Sequence, residues 1–199
     1  FTPTQNAISV AELTVGLILA LARKIPAADR HVKGGGWNRQ AHTGVELYGK
    51  TLGLAGFGRI GFLTAMRARA FGMNLIAYDP YIDPDAPTVA EARVQLVGLD
   101  ELLCASDFVT CHLPSSQETR GMFTYDRFCQ MKPSAFFINV ARGDVVDEPG
   151  LVHSLQERKI AGAALDVRAI EPPERTALCD MENVILTPHV GAFTEEGQH

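Results

Sequence analysis

The sequence predicts an α/β fold, a doubly wound parallel sheet flanked by helices, with a helical arm ahead of it. Three observations carry that prediction. Short apolar runs alternate with helical stretches from Thr51 onward. The runs are apolar nearly throughout, as in strands covered on both faces. Before residue 50 the alternation is absent, and a longer stretch with helical apolar spacing stands in its place.

In that first stretch Val10, Leu13, Leu17, Leu21 and Ile25 recur at helical intervals. A helix is therefore expected over residues 10–25, with Ser9 and Glu12 as its capping box and Pro26 at its end. Glu12 interrupts the apolar run and no basic region precedes it, so it reads as an amphipathic helix of a soluble protein, not a signal or membrane span. Gly34-Gly35-Gly36 forms a loop anchored by Trp37.

Strands are expected at residues 51–55, 74–78, 94–97, 108–111, 136–139, 162–165 and 184–186. Helices are expected at 59–71, 100–105, 125–131 and 148–158. Asp147 is a suitable N-cap for the last helix, and Pro149 is tolerated in its first turn.

At 199 residues the chain can bury one ample core. A net charge of -5, with Lys and Arg scattered, leaves no footprint for nucleic acid or an anionic membrane. Cys104, Cys111, Cys129 and Cys179 have no metal-ligand spacing. They read as reduced and mostly buried, which fits a cytoplasmic protein without a metal site.

Gly56-Phe57-Gly58-Arg59-Ile60-Gly61 is a GxGxxG motif. Alone it is weak, but an apolar strand precedes it and a helix follows. In that setting Gly56 permits the tight turn, Gly58 lets the backbone approach a pyrophosphate, and Gly61 lets the helix pack on the strand. The helix N-terminus offers free N–H groups to the phosphates, and Arg59 is placed to add a charge-assisted contact. Asp79 ends the second strand, eighteen residues after Gly61, where a carboxylate accepts ribose hydroxyls and repels a 2′-phosphate. Residues 51–199 thus read as an NAD-binding domain with the Rossmann fold, although FAD and S-adenosylmethionine sites share parts of this loop. Residues 1–50 form the arm.

Three more clusters follow expected strand ends, where open α/β sheets bind ligands. Arg142 follows the strand at 136–139, Asp166 and Glu171 follow that at 162–165, and His189 follows that at 184–186. The trio Arg142, Glu171 and His189 suits hydride transfer from a hydroxy acid. Arginine is a permanent planar donor for a carboxylate. Histidine titrates near neutrality and can take the hydroxyl proton, and a carboxylate beside it orients the ring and favours its protonated form.

Taken with residues 47–53, 139–148, 162–167 and 186–191, these motifs make the chain similar to the D-isomer-specific 2-hydroxyacid dehydrogenase family, over nearly its whole length. That resemblance implies an NAD-dependent oxidoreductase in which Arg142 binds substrate, Glu171 assists the histidine and His189 is the acid–base. It also implies that Asp166 meets the nicotinamide carboxamide, that Arg59, Ile60 and Asp79 hold the adenosine diphosphate half, and that Leu113, Val140 and Ala141 line the cofactor.

Thr43-Gly44-Val45-Glu46-Leu47 and the run Gly191 to Glu196 are nearest to the branch that oxidises 3-phosphoglycerate. Phe193 and Gly197 depart from it, standing where serine and alanine are usual. The alternatives are a glyoxylate or hydroxypyruvate reductase, or an NAD-sensing transcriptional corepressor. The family's substrate domain is not among these residues, so the isolated chain is expected to bind NAD without turning over substrate. The resemblance also implies a homodimer formed through the arm.

Overall fold

The computed structural model describes residues 3–198. Helices α1 (Pro3–Ala22) and α2 (Ile25–Lys33) come first. The alternating unit follows as β1 (Thr51–Ala55), α3 (Arg59–Ala70), β2 (Asn74–Tyr78), α4 (Pro87–Ala92), β3 (Gln95–Leu96), α5 (Leu99–Ala105) and β4 (Phe108–Cys111). It continues with α6 (Tyr125–Gln130), β5 (Phe136–Asn139), α7 (Glu148–Gln156), β6 (Gly162–Leu165) and β7 (Val184–Leu186).

The sheet order is β3-β2-β1-β4-β5-β6-β7, with every pairing parallel. The order reverses between β1 and β4, in register from Leu52 opposite Phe108 to Ala55 opposite Cys111. The carboxyl ends of the strands at such a reversal are where open α/β sheets bind ligands.

Strand residues alternate between two cores. Leu52, Leu54, Phe108 and Ile138 pack with α1 and α3 on one face. Val109, Phe137 and Leu165 pack with α5, α6 and α7 on the other. Phe123, Phe128 and Phe137 form an aromatic knot there, with ring centroids 4.8 and 5.1 Å from Phe137. Burial of this kind contributes about 1.5–3 kcal/mol per large side chain.

The first helix differs from expectation. It begins at Pro3 and ends at Ala22, so Ser9 lies inside it and is not a cap. Ser9 instead pairs through its hydroxyl with Thr194 at 2.9 Å, and Glu12 accepts from Arg67 of α3 at 2.9 Å. Both polar groups serve tertiary contacts, which outweigh the local capping pattern. Pro26 does not end a helix but sits in the first turn of α2, where its missing N–H costs nothing. Lys24, at φ 52°, makes the break between the two helices.

Nor does α1 stand off as an arm. Val10, Ala11, Thr14, Leu17, Ile18 and Leu21 are buried against α3 and the sheet. The buried Thr14 hydroxyl is satisfied by the Val10 carbonyl at 2.7 Å.

Three smaller differences follow. Helix α4 was not foreseen, and β3 is only two residues long. Of the four free cysteines only Cys111 is buried; Cys104, Cys129 and Cys179 are exposed. No helix among the described residues is long and apolar enough to cross a membrane.

Candidate active site

The glycine loop joins β1 to α3 at the point where the strand order reverses. Gly56 has φ +97°, and a Cβ there would lie 2.9 Å from the His112 carbonyl carbon, so both its conformation and its neighbour require glycine. A Cβ on Gly61 would lie 2.4 Å from the Gly56 oxygen, which is the close approach of helix to turn. A Cβ on Gly58 would meet nothing within 4 Å, so the loop is open on its outer side. Gly58 is also the helix N-cap and has no side chain to occupy the first N–H groups of α3. An open, donor-rich turn of this kind fits a pyrophosphate.

Asp79 stands at the end of β2. Its Oδ2 accepts the Phe57 amide at 2.9 Å and its Oδ1 accepts the Tyr81 amide at 3.0 Å. A carboxylate has about four lone-pair sites, so two remain for ribose hydroxyls. Ile60 turns its side chain into the α1 face, leaving its backbone for the loop. Leu113 and Val140, just after β4 and β5, are nearly buried, and Ala141 is half-buried.

Arg142 is carried by a turn closed at both ends by Asn139. The Asn139 side-chain amide donates to the Arg142 carbonyl at 2.8 Å, and its oxygen accepts the Ala141 amide at 3.0 Å. The next residue, Gly143, abuts the Arg168 carbonyl so closely that a Cβ would overlap it at 1.9 Å. The Arg142 turn is thereby pressed against the segment that bears Glu171. Arg142 itself is exposed.

Glu171 and His189 meet: His189 Nδ1 donates to Glu171 Oε2 at 2.7 Å. Since the carboxylate can only accept, the proton of a neutral ring is held on Nδ1 and Nε2 is the basic nitrogen. Glu171 is oriented in turn by the Arg168 amide, which donates to Oε1 at 2.9 Å. Burial pushes the Glu171 carboxyl up. The hydrogen bonds from His189 and the Arg168 amide, with the charges of His189 and Arg142, outweigh it and hold the group below the usual carboxylate range.

His189 sits at φ 54°, a left-handed backbone rarely adopted by a bulky residue. Asp166 holds it there. This carboxylate is only 1% exposed. It accepts the Thr187 hydroxyl at 2.6 Å, the Val190 amide at 2.9 Å and the Gly191 amide at 2.9 Å. The His189 amide donates to the Asp166 carbonyl at 2.8 Å. The family resemblance implies that Asp166 meets the nicotinamide carboxamide; in the structure its carboxylate clamps the histidine loop and keeps one acceptor site for such a contact. From beneath, Val10 and Leu13 of α1 lie 3.2 and 3.7 Å from the position of a Cβ on Gly191.

Three further residues escaped the sequence. Glu148 and Arg168 form a two-pronged ion pair at 3.0 and 2.7 Å, and Glu148 also accepts the Ala169 amide at 2.9 Å. Their side chains are 16% and 7% exposed, so this is a partly buried pair that fixes the chain just ahead of Glu171. Twenty residues separate them, with no local pattern to reveal the contact.

The third is His112, beneath the glycine loop. The residue as a whole is half-buried, yet both ring nitrogens are sealed from solvent and have no protein partner. Burial pushes its pKa down from 6.5 to about 4. Between those values the unfolded chain binds a proton that the folded chain refuses. Stability should therefore be full above pH 6.5 and fall as pH drops towards 4, by up to about 3 kcal/mol from this group. Thermal melts at neutral and mildly acidic pH, compared with those of His112→Leu, check this: the variant should lose less on acidification. Parallel losses would rule His112 out as the cause.

A cleft of about 510 Å³ lies against this constellation, lined by Asp166, Arg168, Glu171, Thr187 and His189. A larger one, about 760 Å³, opens at the amino ends of β5 to β7 beside Phe136 and Asn183, and contains none of these residues.

Residues 15–191 match the family model described as D-isomer specific 2-hydroxyacid dehydrogenase, NAD binding domain. A D-3-phosphoglycerate dehydrogenase of Methanocaldococcus jannaschii is 50% identical over 198 residues, covering 98% of this chain and 37% of that protein. A solved NAD-binding putative D-isomer specific 2-hydroxyacid dehydrogenase from Polaromonas sp. JS6 66 superposes with a TM-score of 0.92 at 33% identity, over 99% of this chain and 62% of that one. D-lactate dehydrogenase with NAD+ from Lactobacillus jensenii gives 0.86 at 31% identity, over 98% and 62%. The chain thus spans under two-fifths of the curated relative and under two-thirds of each solved chain.

Proposed function

The chain belongs to the D-isomer specific 2-hydroxyacid dehydrogenase family as its NAD-binding domain, and from that premise we propose that it serves an enzyme oxidising a D-2-hydroxy acid, with 3-phosphoglycerate the leading substrate. One observation carries the reading: a carboxylate-held imidazole and an exposed arginine share the strand edge that also bears the open glycine loop.

NAD, when bound, supplies the two-electron acceptor. Arg142 binds the substrate carboxylate with its planar guanidinium. His189 Nε2 takes the hydroxyl proton as the carbonyl forms, and gives it back in the reverse direction. Glu171 holds the ring by Nδ1, stabilises the imidazolium and prevents it from turning. Glu148 and Arg168 position Glu171.

Assaying the protein that carries this chain with NAD and 3-phosphoglycerate, beside 2-hydroxyglutarate, D-lactate and glycerate, tests the reading. Oxidation of 3-phosphoglycerate at the highest kcat/KM is expected. A folded protein that turned over none of them would refute the proposal.

Asp79 should set the cofactor preference, because a 2′-phosphate would sit against its carboxylate. NAD is expected to bind at least about tenfold more tightly than NADP, and Asp79→Ser should narrow that gap. Calorimetry with both cofactors gives the ratio. Equal affinities in the unaltered chain would overturn the assignment.

The working unit we assign is a homodimer in the cytoplasm. Helix α2 buries none of its residues, and Ile25, Val32 and Trp37, on it or just after it, are exposed apolar or aromatic groups, which supports a covering subunit. Exposed free thiols suit a reducing compartment. Sedimentation of the chain at micromolar concentration tests the dimer.

A further inference from the structure

Every polar side chain placed in the mechanism above has a partner or faces the open edge of the sheet. His112 does neither. Its backbone abuts Gly56, whose built Cβ would lie 3.0 Å from the His112 oxygen and 3.2 Å from the Leu113 nitrogen. Its ring lies under the start of α3, with Cδ2 3.7 Å from the position of a Cβ on Gly61. The two glycines that shape the phosphate loop therefore rest on this one residue. A neutral imidazole always carries one N–H. Sealed from water and without an acceptor, that N–H is a destabilising group in the free protein. A leucine would fill the space at less cost, so packing alone does not account for a histidine.

We propose that His112 is a positioning residue for the dinucleotide's pyrophosphate: seating the cofactor settles the glycine loop so that the ring N–H gains a loop carbonyl as its acceptor. The inference rests on the NAD reading of the loop. The ring nitrogens have no solvent exposure, so the phosphate does not reach them directly. A Cβ built on Gly61 would lie 2.4 Å from the Gly56 oxygen and 3.7 Å from His112 Cδ2, so the Gly56 carbonyl and the His112 ring flank the same point at the start of α3. Part of the cofactor's binding energy is then delivered through the removal of an unsatisfied buried donor, and the helix N-terminus is drawn onto the phosphates as it happens.

This role has a signature that a packing role lacks. His112→Leu removes the orphaned donor, so the free protein should melt higher, by about 2–4 °C. The same change should weaken NAD and ADP-ribose about tenfold. His112→Gln keeps an N–H and should bind both ligands within about threefold of the unaltered chain. Calorimetry and thermal melts at neutral pH read all of this. Unchanged affinity in a folded His112→Leu protein would overturn the inference, as would a loss of affinity accompanied by a lower melting temperature. In the unaltered chain, the imidazole ¹⁵N resonances of His112 should move on saturation with ADP-ribose; if they stay put, the inference fails without any variant. If the unaltered chain bound no NAD, the reading beneath the inference would fail, whereas equal binding by all three proteins removes the inference alone.

Discussion

His189→Asn should lower kcat of the intact enzyme by about a hundred- to ten-thousandfold, the range that a positioned acid–base group contributes. Asparagine is chosen because it tolerates the left-handed backbone that His189 occupies, so the loop should keep its shape. It cannot exchange a proton near neutrality. Melting temperature and NAD affinity should therefore stay near those of the unaltered protein while turnover collapses. Glu171→Gln should cost less, because the amide oxygen can still accept from Nδ1 but carries no charge to steady the imidazolium. Steady-state kinetics on the intact protein decide the matter. Turnover within a few-fold of normal in a folded His189→Asn enzyme would remove His189 from the chemistry.

The second large effect is on stability. Asp166→Ala should destabilise the fold by about 3–5 kcal/mol, because the Thr187 hydroxyl and the Val190 and Gly191 amides lose their acceptor together. For a chain of this size the melting temperature should fall by roughly 10 °C. Asp166→Asn keeps one acceptor oxygen but turns an N–H₂ towards a donor, and should recover about half of the loss. Calorimetric melts of the three proteins give the comparison. An Asp166→Ala protein melting within about 2 °C of the original would show that the clamp is not what holds the histidine loop.

What could be read from the sequence follows from the range of the interactions involved. Six of the seven strands lie where their apolar runs predict, because a strand covered on both faces must be apolar along its own length. The glycine loop and the Asp79 strand end were legible for a similar reason: turn, spacing and strand end are set by neighbours in the chain.

The start of the first helix was misread because Ser9 and Glu12 look like a cap but are spent on Thr194 and Arg67, far away in sequence, and its end because Pro26 opens the next helix instead of closing this one. The Glu148–Arg168 pair and the burial of His112 have no local trace at all. Asp166 was located correctly, yet its three bonds to the 187–191 loop are invisible until the strands are laid side by side. The same limit applied to α1. Its apolar stripe was visible, but not whether that stripe faced its own sheet or a neighbouring subunit.

That helix has one more consequence, which concerns length and not composition. Residues on an α-helix are set about 100° apart around its axis. A single residue inserted between Thr14 and Leu17 would turn everything before it by that angle relative to everything after it. With Leu17 and Leu21 still seated on the sheet, Val10 would swing out from under Gly191, Ser9 would leave Thr194, and Glu12 would leave Arg67. Point replacements along α1 disturb one contact each, whereas an insertion or deletion there breaks the props beneath the histidine loop and the tie to the phosphate helix in one event. The spacing of α1 is thus more tightly constrained than its wording, and relatives of this chain should vary in letters along it far sooner than in count.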